Sequence, residues 1–165
     1  MLFRSARTSA HNRCWDLVSS FIASEAAKSW KFQWNTHVQS SGPTLSRALI
    51  RIPLDADDSI HEMVPSGNMT PDGIAIDEQH KMMIALLEFS RTSGSLSNAH
   101  QRKASKYQPL AQCLTTYTSQ GWKVHVLPWI VDICGFVNAP GLTQACQILG
   151  IPAARWENAF ECTAK

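Results

Sequence analysis

The stretch from Pro71 to Arg91, PDGIAIDEQHKMMIALLEFSR, limits the possible folds of this chain more than any other segment. Two β-prone runs, 72–76 and 82–90, flank the polar residues 77–80, and this pattern predicts an antiparallel hairpin. Glu88 lies in the second run among apolar residues. Burying a carboxylate is costly unless another group pairs with it or coordinates it. The fold therefore has to bring a compensating group to Glu88.

Further helices and strands are predicted on both sides of this hairpin. Apolar residues at three- and four-residue steps, among them Trp15 and Trp30, predict a first helix whose tryptophans belong to the core. Pro109 should kink or divide the long helix that follows the hairpin. The predicted elements are helices at 12–34, 97–120, 142–149 and 153–162, strands at 47–54 and 122–131, and a loop at 55–70.

The order of these elements predicts the fold class. A hairpin-bearing sheet with helices packed around it is an α/β or, more narrowly, α+β sandwich with a mixed central sheet. The length of 165 residues suits one domain with its own core and is short for two. We therefore expect a single domain, with a core at about 12–138 and a helical tail at 139–165.

Composition restricts the compartment and the class of protein. Hydrophobic residues make up 44% of the chain and charged residues 17%, as in globular proteins rather than disordered ones. No apolar run is long enough to cross a bilayer, and the N-terminal residues make a poor signal peptide. Five scattered cysteines without CxxC spacing indicate neither a disulfide framework nor a zinc site. We expect an intracellular, reducing compartment and no membrane partner.

The charges are distributed unevenly. Eight acids and one base, Lys81, lie between Asp55 and Glu88, whereas 89–131 contains five bases and no acid. Two solvated surfaces of opposite sign would explain this pattern, and so would an acidic metal pocket beside a basic track for a polyanion. Composition alone does not decide between them.

Asp72 and Glu88 are the candidate metal ligands. A hairpin that turns at 77–80 brings the start of its first strand beside the end of its second, so the two carboxylates become neighbours. Two close carboxylates repel each other unless a cation lies between them, and their oxygens suit Mg²⁺ or Mn²⁺. Lys103 and Lys106 share one face of the next helix and can orient water or offset charge there. The simpler alternative is that Lys106 has no catalytic role and lies at the edge of the core with its charged end in water.

These residues also carry a resemblance to a nuclease family. Pro71-Asp72, fifteen intervening residues and Glu88-Phe89-Ser90 resemble the PD-(D/E)xK signature, with serine in place of its lysine. The blocks LLEFSRT, KASKYQPL and GWKVHVLPWIVDICGFV are similar to the restriction-like endonuclease domain of site-specific non-LTR retroelements. The similarity covers about residues 70–138. It implies a restriction-endonuclease-like αβββαβ core and Mg²⁺- or Mn²⁺-dependent hydrolysis of DNA phosphodiester bonds.

The resemblance implies a role for each site residue. Asp72 and Glu88 would bind the metal, with Glu25 from the first helix as a candidate third acid. The motif has its lysine at the position of Ser90, so Lys106 would take the role of that lysine, with Lys103 as the second choice. The DNA-binding residues would be Arg91, Arg102, Lys103 and Lys123. The chain would then be one piece of a longer retroelement polyprotein, and nuclear if its source is eukaryotic.

Two other functions remain open at this point. One is a nuclease-like fold without catalysis that binds nucleic acid or a protein partner, with salt-sensitive DNA binding that needs no metal. The other is a non-functional copy whose pattern survives from an ancestor. The sequence does not choose among the three.

Overall fold

The computed structural model describes residues 2–34, 71–77, 79, 83–117 and 122–161. Helices and strands alternate in the order helix, three strands, helix, strand and two helices. Their bounds are α1 Leu2–Glu25, β1 Lys31–Trp34, β2 Gly73–Asp77, β3 Met83–Thr92, α2 Leu96–Tyr117, β4 Lys123–Asp132, α3 Ala139–Leu149 and α4 Ala153–Glu161.

The four strands form one mixed sheet in the order β1-β2-β3-β4. β1 pairs with β2 and β2 with β3, both antiparallel, so the predicted hairpin is present. The predicted α+β class, with helices flanking a mixed sheet, is confirmed. Residues 47–54 and 55–70, predicted as a strand and a loop, lie outside the described residues.

The first helix is predicted wrongly at both ends. α1 begins at Leu2 rather than at residue 12 and ends at Glu25 rather than at 34, and residues 31–34 form β1. Trp15 and Trp30 are both buried, as expected, but Trp30 lies after the helix. The backbone hydrogen bonds of β1 are satisfied by β2, which is distant in the chain, so the helical spacing of local apolar residues does not decide the structure there.

The described residues belong to two compact units. The first, called the terminal unit, comprises the described residues of 1–27, 89–100 and 128–165. The second, called the hairpin unit, comprises those of 28–88 and 101–127. The boundaries fall within β3, α2 and β4, so each unit contains parts of these elements.

The core of the hairpin unit lies between one face of the sheet and α2. In the hairpin, Ile74 pairs with Leu86 and Ile76 with Ile84, and side chains of paired residues share a face. Leucines of α2 pack on that face. The buried cluster comprises Ile74, Ile76, Ile84, Leu86, Tyr107, Leu110, Ala111, Leu114 and Trp122.

Helix α2 is continuous through Pro109, so the predicted division of the helix there is wrong. Pro109 is exposed to solvent, so water can bind the backbone carbonyl that loses its helical partner. The described part of the helix ends at Tyr117, and residues 118–121 lie outside the described range.

The terminal unit has its own apolar contacts. Phe89 of β3 stacks on Trp15 of α1, with ring centroids 5.8 Å apart. The two predicted closing helices are present, and α3 begins at Ala139 because the Asn138 side chain caps it by accepting a hydrogen bond from the Gly141 N–H. The helix ends at Gly150, whose φ of 71° is the left-handed conformation that glycine adopts readily.

Leu110 allows a direct test of the core of the hairpin unit. Leu110→Ala should lower the free energy of unfolding by about 2–5 kcal/mol because its side chain is fully buried. Leu17→Ala is the matched control, since Leu17 is 72% exposed, and should change it by less than about 0.5 kcal/mol. Urea unfolding measures both values. Equal losses in the two variants would contradict the described packing.

Candidate active site

Asp72 and Glu88 meet at one end of the hairpin. Gly73 pairs with Leu87, so the same register continued by one position sets Asp72 opposite Glu88. Glu88 is only 4% exposed, while Asp72 is half-buried. Burial first, and then the charges of Glu88 and Asp72, raise the pKa of the Tyr107 hydroxyl. The expected proximity of the two acids therefore agrees with the register and with their shared effect on Tyr107.

Lys103 is the cation that compensates the buried Glu88 carboxylate. Its Nζ donates a hydrogen bond to Glu88 Oε1 and forms an ion pair with it. Ala99, Lys103 and Tyr107 follow one another at four-residue steps and therefore share the face of α2 that carries Leu110. The Lys103 side chain is 21% exposed, so its charge is only partly solvated. Burying Glu88 is thus balanced by a charge from the next helix.

Lys106, the first choice for the lysine role, contacts Tyr107 instead. Its Nζ donates a hydrogen bond of 3.2 Å to Tyr107 Oη and lies 4.8 Å from the centre of the Tyr107 ring. Lys106 itself is exposed. Of the two candidate lysines, Lys103, the second choice, is therefore the one that contacts Glu88.

Tyr107 joins the site, although the sequence analysis gave it no role. Burial raises the pKa of its hydroxyl well above the usual value, and the charge of Glu88, a hydrogen bond to Glu88 and the charge of Asp72 raise it further. A hydroxyl with that pKa stays protonated and can donate to a carboxylate. In the sequence, the spacing of four residues between Lys103 and Tyr107 indicates that both side chains lie on one face of α2, and this spacing could have assigned Tyr107 to the site.

The second carboxylate oxygen of Glu88 suits a metal ion. Within the part of the chain that the structure describes, Glu88 Oε2 is buried and has no hydrogen-bond partner. An anionic oxygen without a donor is unfavourable in the interior, and a hard cation such as Mg²⁺ or Mn²⁺ would satisfy it. The described residues contain no group of three His, Cys, Asp or Glu side chains that could hold a metal. Asp72 and Glu88 can therefore hold a cation only together with further oxygen donors that complete the coordination of the cation.

Glu25 and Ser90, two further candidates, belong to the terminal unit. Glu25 is the last residue of α1, and its Oε2 lies 3.5 Å from Arg155 Nε. Ser90 lies two residues beyond Glu88 in β3 and is half-buried. Glu25 thus already has an ion-pair partner from α4.

The predicted DNA-binding bases differ in their surroundings. Arg102 is exposed on α2 beside Lys103, and Arg91 is half-buried in β3.

The fourth base, Lys123, lies at the start of β4. Val124 and Val126 of this strand pack on the core cluster, so the alternating Lys123 and His125 point to the other face of the sheet. Burial and then the charge of Lys123 lower the pKa of His125, which agrees with their shared face. Lys123 therefore lies on the opposite face from Glu88 and Lys103.

Asp77 is a buried acid that the sequence analysis assigned to the turn. It is the last residue of β2, is fully buried and accepts a hydrogen bond of 2.7 Å from Ser29 Oγ. Alternation along β2 turns it away from the face of Ile74 and Ile76. It therefore does not join the Asp72 and Glu88 pair, and its contact with Ser29 links β2 to the segment that precedes β1.

Comparisons with known proteins found no relative of this chain. No protein-family model matches the chain, and no curated protein or solved structure shows significant similarity to it. Among the described helices, none combines the length and the apolar character needed to span a bilayer. The nuclease resemblance therefore rests on the motif residues of this chain.

Removal of Lys103 should destabilise the protein through Glu88. Lys103→Met leaves the buried carboxylate without its cation and should lower the free energy of unfolding by about 1–3 kcal/mol at pH 7. The double variant Lys103→Met with Glu88→Gln should recover most of that loss. Lys106→Met is the control and should have a smaller effect. A Lys103→Met loss that persists fully in the double variant would contradict the pairing.

Proposed function

We propose that this chain is a metal-dependent endonuclease domain that hydrolyses DNA phosphodiester bonds with Mg²⁺ or Mn²⁺ held by Asp72 and Glu88. One observation carries the proposal: a buried glutamate lies opposite an aspartate, with one carboxylate oxygen bound to Lys103 and the other lacking a partner among the described residues. The order of helices and strands is compatible with a restriction-endonuclease-like αβββαβ core, which forms part of the proposal.

The side chains around the pair supply complementary chemistry. Mg²⁺, when bound, provides a Lewis acid that lowers the pKa of water and stabilises charge on a phosphate. Asp72 and Glu88 hold and orient this cation. Lys103 carries three N–H donors, of which one binds Glu88, so its ammonium can also orient water or offset charge on the phosphate. Ser90, where the family has its lysine, cannot supply that charge.

A DNA partner is supported by the bases near this pair. Arg102 and Lys106 are exposed on α2, at a spacing of four residues that sets them on one side of the helix. Side chains of this kind bind the phosphate backbone and release counterions, so binding becomes salt-dependent. Arg91 and Lys123 remain proposed contacts. A place in a retroelement polyprotein, and an intracellular or nuclear location, follow from the same proposal.

A second candidate function is a nuclease-fold module that binds DNA without cleaving it. The ion pair itself favours this alternative, because Lys103 balances the charge of Glu88 without any metal. A carboxylate paired in this way is stable in a site that never binds a cation. This module would bind DNA with strong salt dependence and with no effect of a chelator.

Plasmid nicking distinguishes the two candidates. The purified chain, supercoiled plasmid and Mg²⁺ or Mn²⁺ should give nicked circles, and a chelator should abolish them. Asp72→Asn and Glu88→Gln should each lower the nicking rate on the order of 100-fold or more, since each removes charge from the proposed metal ligands. Glu157→Gln, on the exposed surface of α4, is the matched control and should leave the rate unchanged.

Each outcome of this assay has a distinct meaning. Nicking that survives both carboxylate substitutions would contradict a role for this pair. Absence of nicking with either metal, together with salt-sensitive DNA binding that a chelator does not affect, would replace the endonuclease with the binding module. Circular dichroism of every variant shows whether the fold is retained.

A further inference from the structure

Gln33 of β1 lies on the same sheet face as the two carboxylates. It pairs with Ile74, whose side chain belongs to the core cluster under α2. Directly paired residues of an antiparallel ladder point to one side of the sheet. Asp72 directly precedes β2 and is two residues before Ile74, so the alternation of β2 continued by one residue sets its side chain on that side as well.

Gln33 of β1 and Asp72, the residue that directly precedes β2, are diagonal neighbours when the β1–β2 register is continued by one position. Diagonal positions of an antiparallel pair are about 7–8 Å apart, within reach of long side chains. Since β2 lies between β1 and β3, Gln33 and Glu88 flank Asp72 from its two sides. Gln33 itself is in the row of Ile74 and Leu86, so it lies on the shared face two positions away from the row of Asp72 and Glu88.

Gln33 and Glu88 each carry an unsatisfied oxygen. Gln33 Oε1 and Glu88 Oε2 are buried, and neither has a hydrogen-bond partner in the described portion of the chain. A buried acceptor without a donor is destabilising, and more so when it is charged. Two such oxygens on either side of an aspartate suggest one shared electropositive partner.

We propose that Gln33 Oε1 is a third protein ligand of the divalent cation held by Asp72 and Glu88, an inference that rests on the proposed metal site. Amide carbonyl oxygens are ordinary ligands of hard divalent cations. Glu88 binds Lys103 through Oε1, so its Oε2 can join the cation without breaking the ion pair. Gln33 thus supplies a neutral oxygen where no third acid is grouped with the pair among the described residues.

Mn²⁺ binding to the whole chain tests this inference without reference to cleavage. Electron paramagnetic resonance of free Mn²⁺ and titration calorimetry both give the dissociation constant. Gln33→Met keeps the approximate length of the side chain but removes the oxygen, and should weaken Mn²⁺ binding about tenfold or more. Gln33→Glu adds an anionic oxygen and should strengthen it. Gln147→Met, at an exposed glutamine of α3, is the matched control and should bind as the wild type does.

Thermal unfolding supplies a second readout. Without metal, Gln33→Met should melt at or above the wild-type temperature because it removes an unsatisfied buried acceptor. With Mn²⁺, its melting temperature should rise less than that of the wild type, since binding to the folded state is weaker.

The possible failures are distinguishable. Mn²⁺ binding that needs Glu88 but is unchanged in Gln33→Met would overturn the role of Gln33 and leave the carboxylate site intact. A metal-free loss of stability in Gln33→Met with unchanged Mn²⁺ affinity would also overturn it, because the glutamine would then have a partner within the protein. Absence of Mn²⁺ binding to the wild type would remove the metal site and the Gln33 inference together.

Discussion

A carboxylate buried in a sheet has to be compensated, and in this protein Lys103 of α2 compensates Glu88 of β3. The ion pair has a structural consequence beyond charge. Lys103, Tyr107, Leu110 and Leu114 follow one another at steps of three and four residues, so the helix that presents its leucines to the sheet also presents this lysine to Glu88. Packing and charge compensation therefore favour the same orientation of α2.

The hairpin changes from apolar to acidic along one face. Ile76 pairs with Ile84, Ile74 pairs with Leu86, and the same register continued brings Asp72 opposite Glu88. The apolar pairs make the core under α2, and the acidic pair ends it. Glu88 is therefore held within β3, and Asp72 lies next to the first residue of β2.

Sequence patterns predicted the hairpin because it depends on local features, namely alternation and a polar turn. They failed for β1, since its hydrogen-bond partner lies about forty residues further along the chain and the spacing of Trp30 imitates a helix. Sequence patterns also did not decide which of Lys103 and Lys106 contacts Glu88. Both lie on one side of the helix, and only the packed orientation of α2 decides which of them reaches Glu88.

Tyr107 and Gln33 show a related limit of sequence reasoning. Neither residue type suggests metal or phosphate chemistry when it is read alone. The neighbours of each residue single it out: burial and two nearby acids raise the pKa of the Tyr107 hydroxyl, and the pairing of β1 with β2 sets Gln33 diagonal to Asp72, where we propose that it binds the cation. Such roles come from the pairing of strands and the packing of a helix rather than from a motif.

The central claim is that Asp72 and Glu88 share a divalent cation while Lys103 keeps its bond to Glu88. A crystal of the protein soaked in millimolar Mn²⁺, with anomalous diffraction measured at a wavelength where manganese scatters strongly, tests it most directly. The account predicts an anomalous peak at about 2.0–2.3 Å from an Asp72 oxygen and from Glu88 Oε2, with Lys103 still bound to Glu88 Oε1. A well-ordered pair with no peak between the two carboxylates would contradict it.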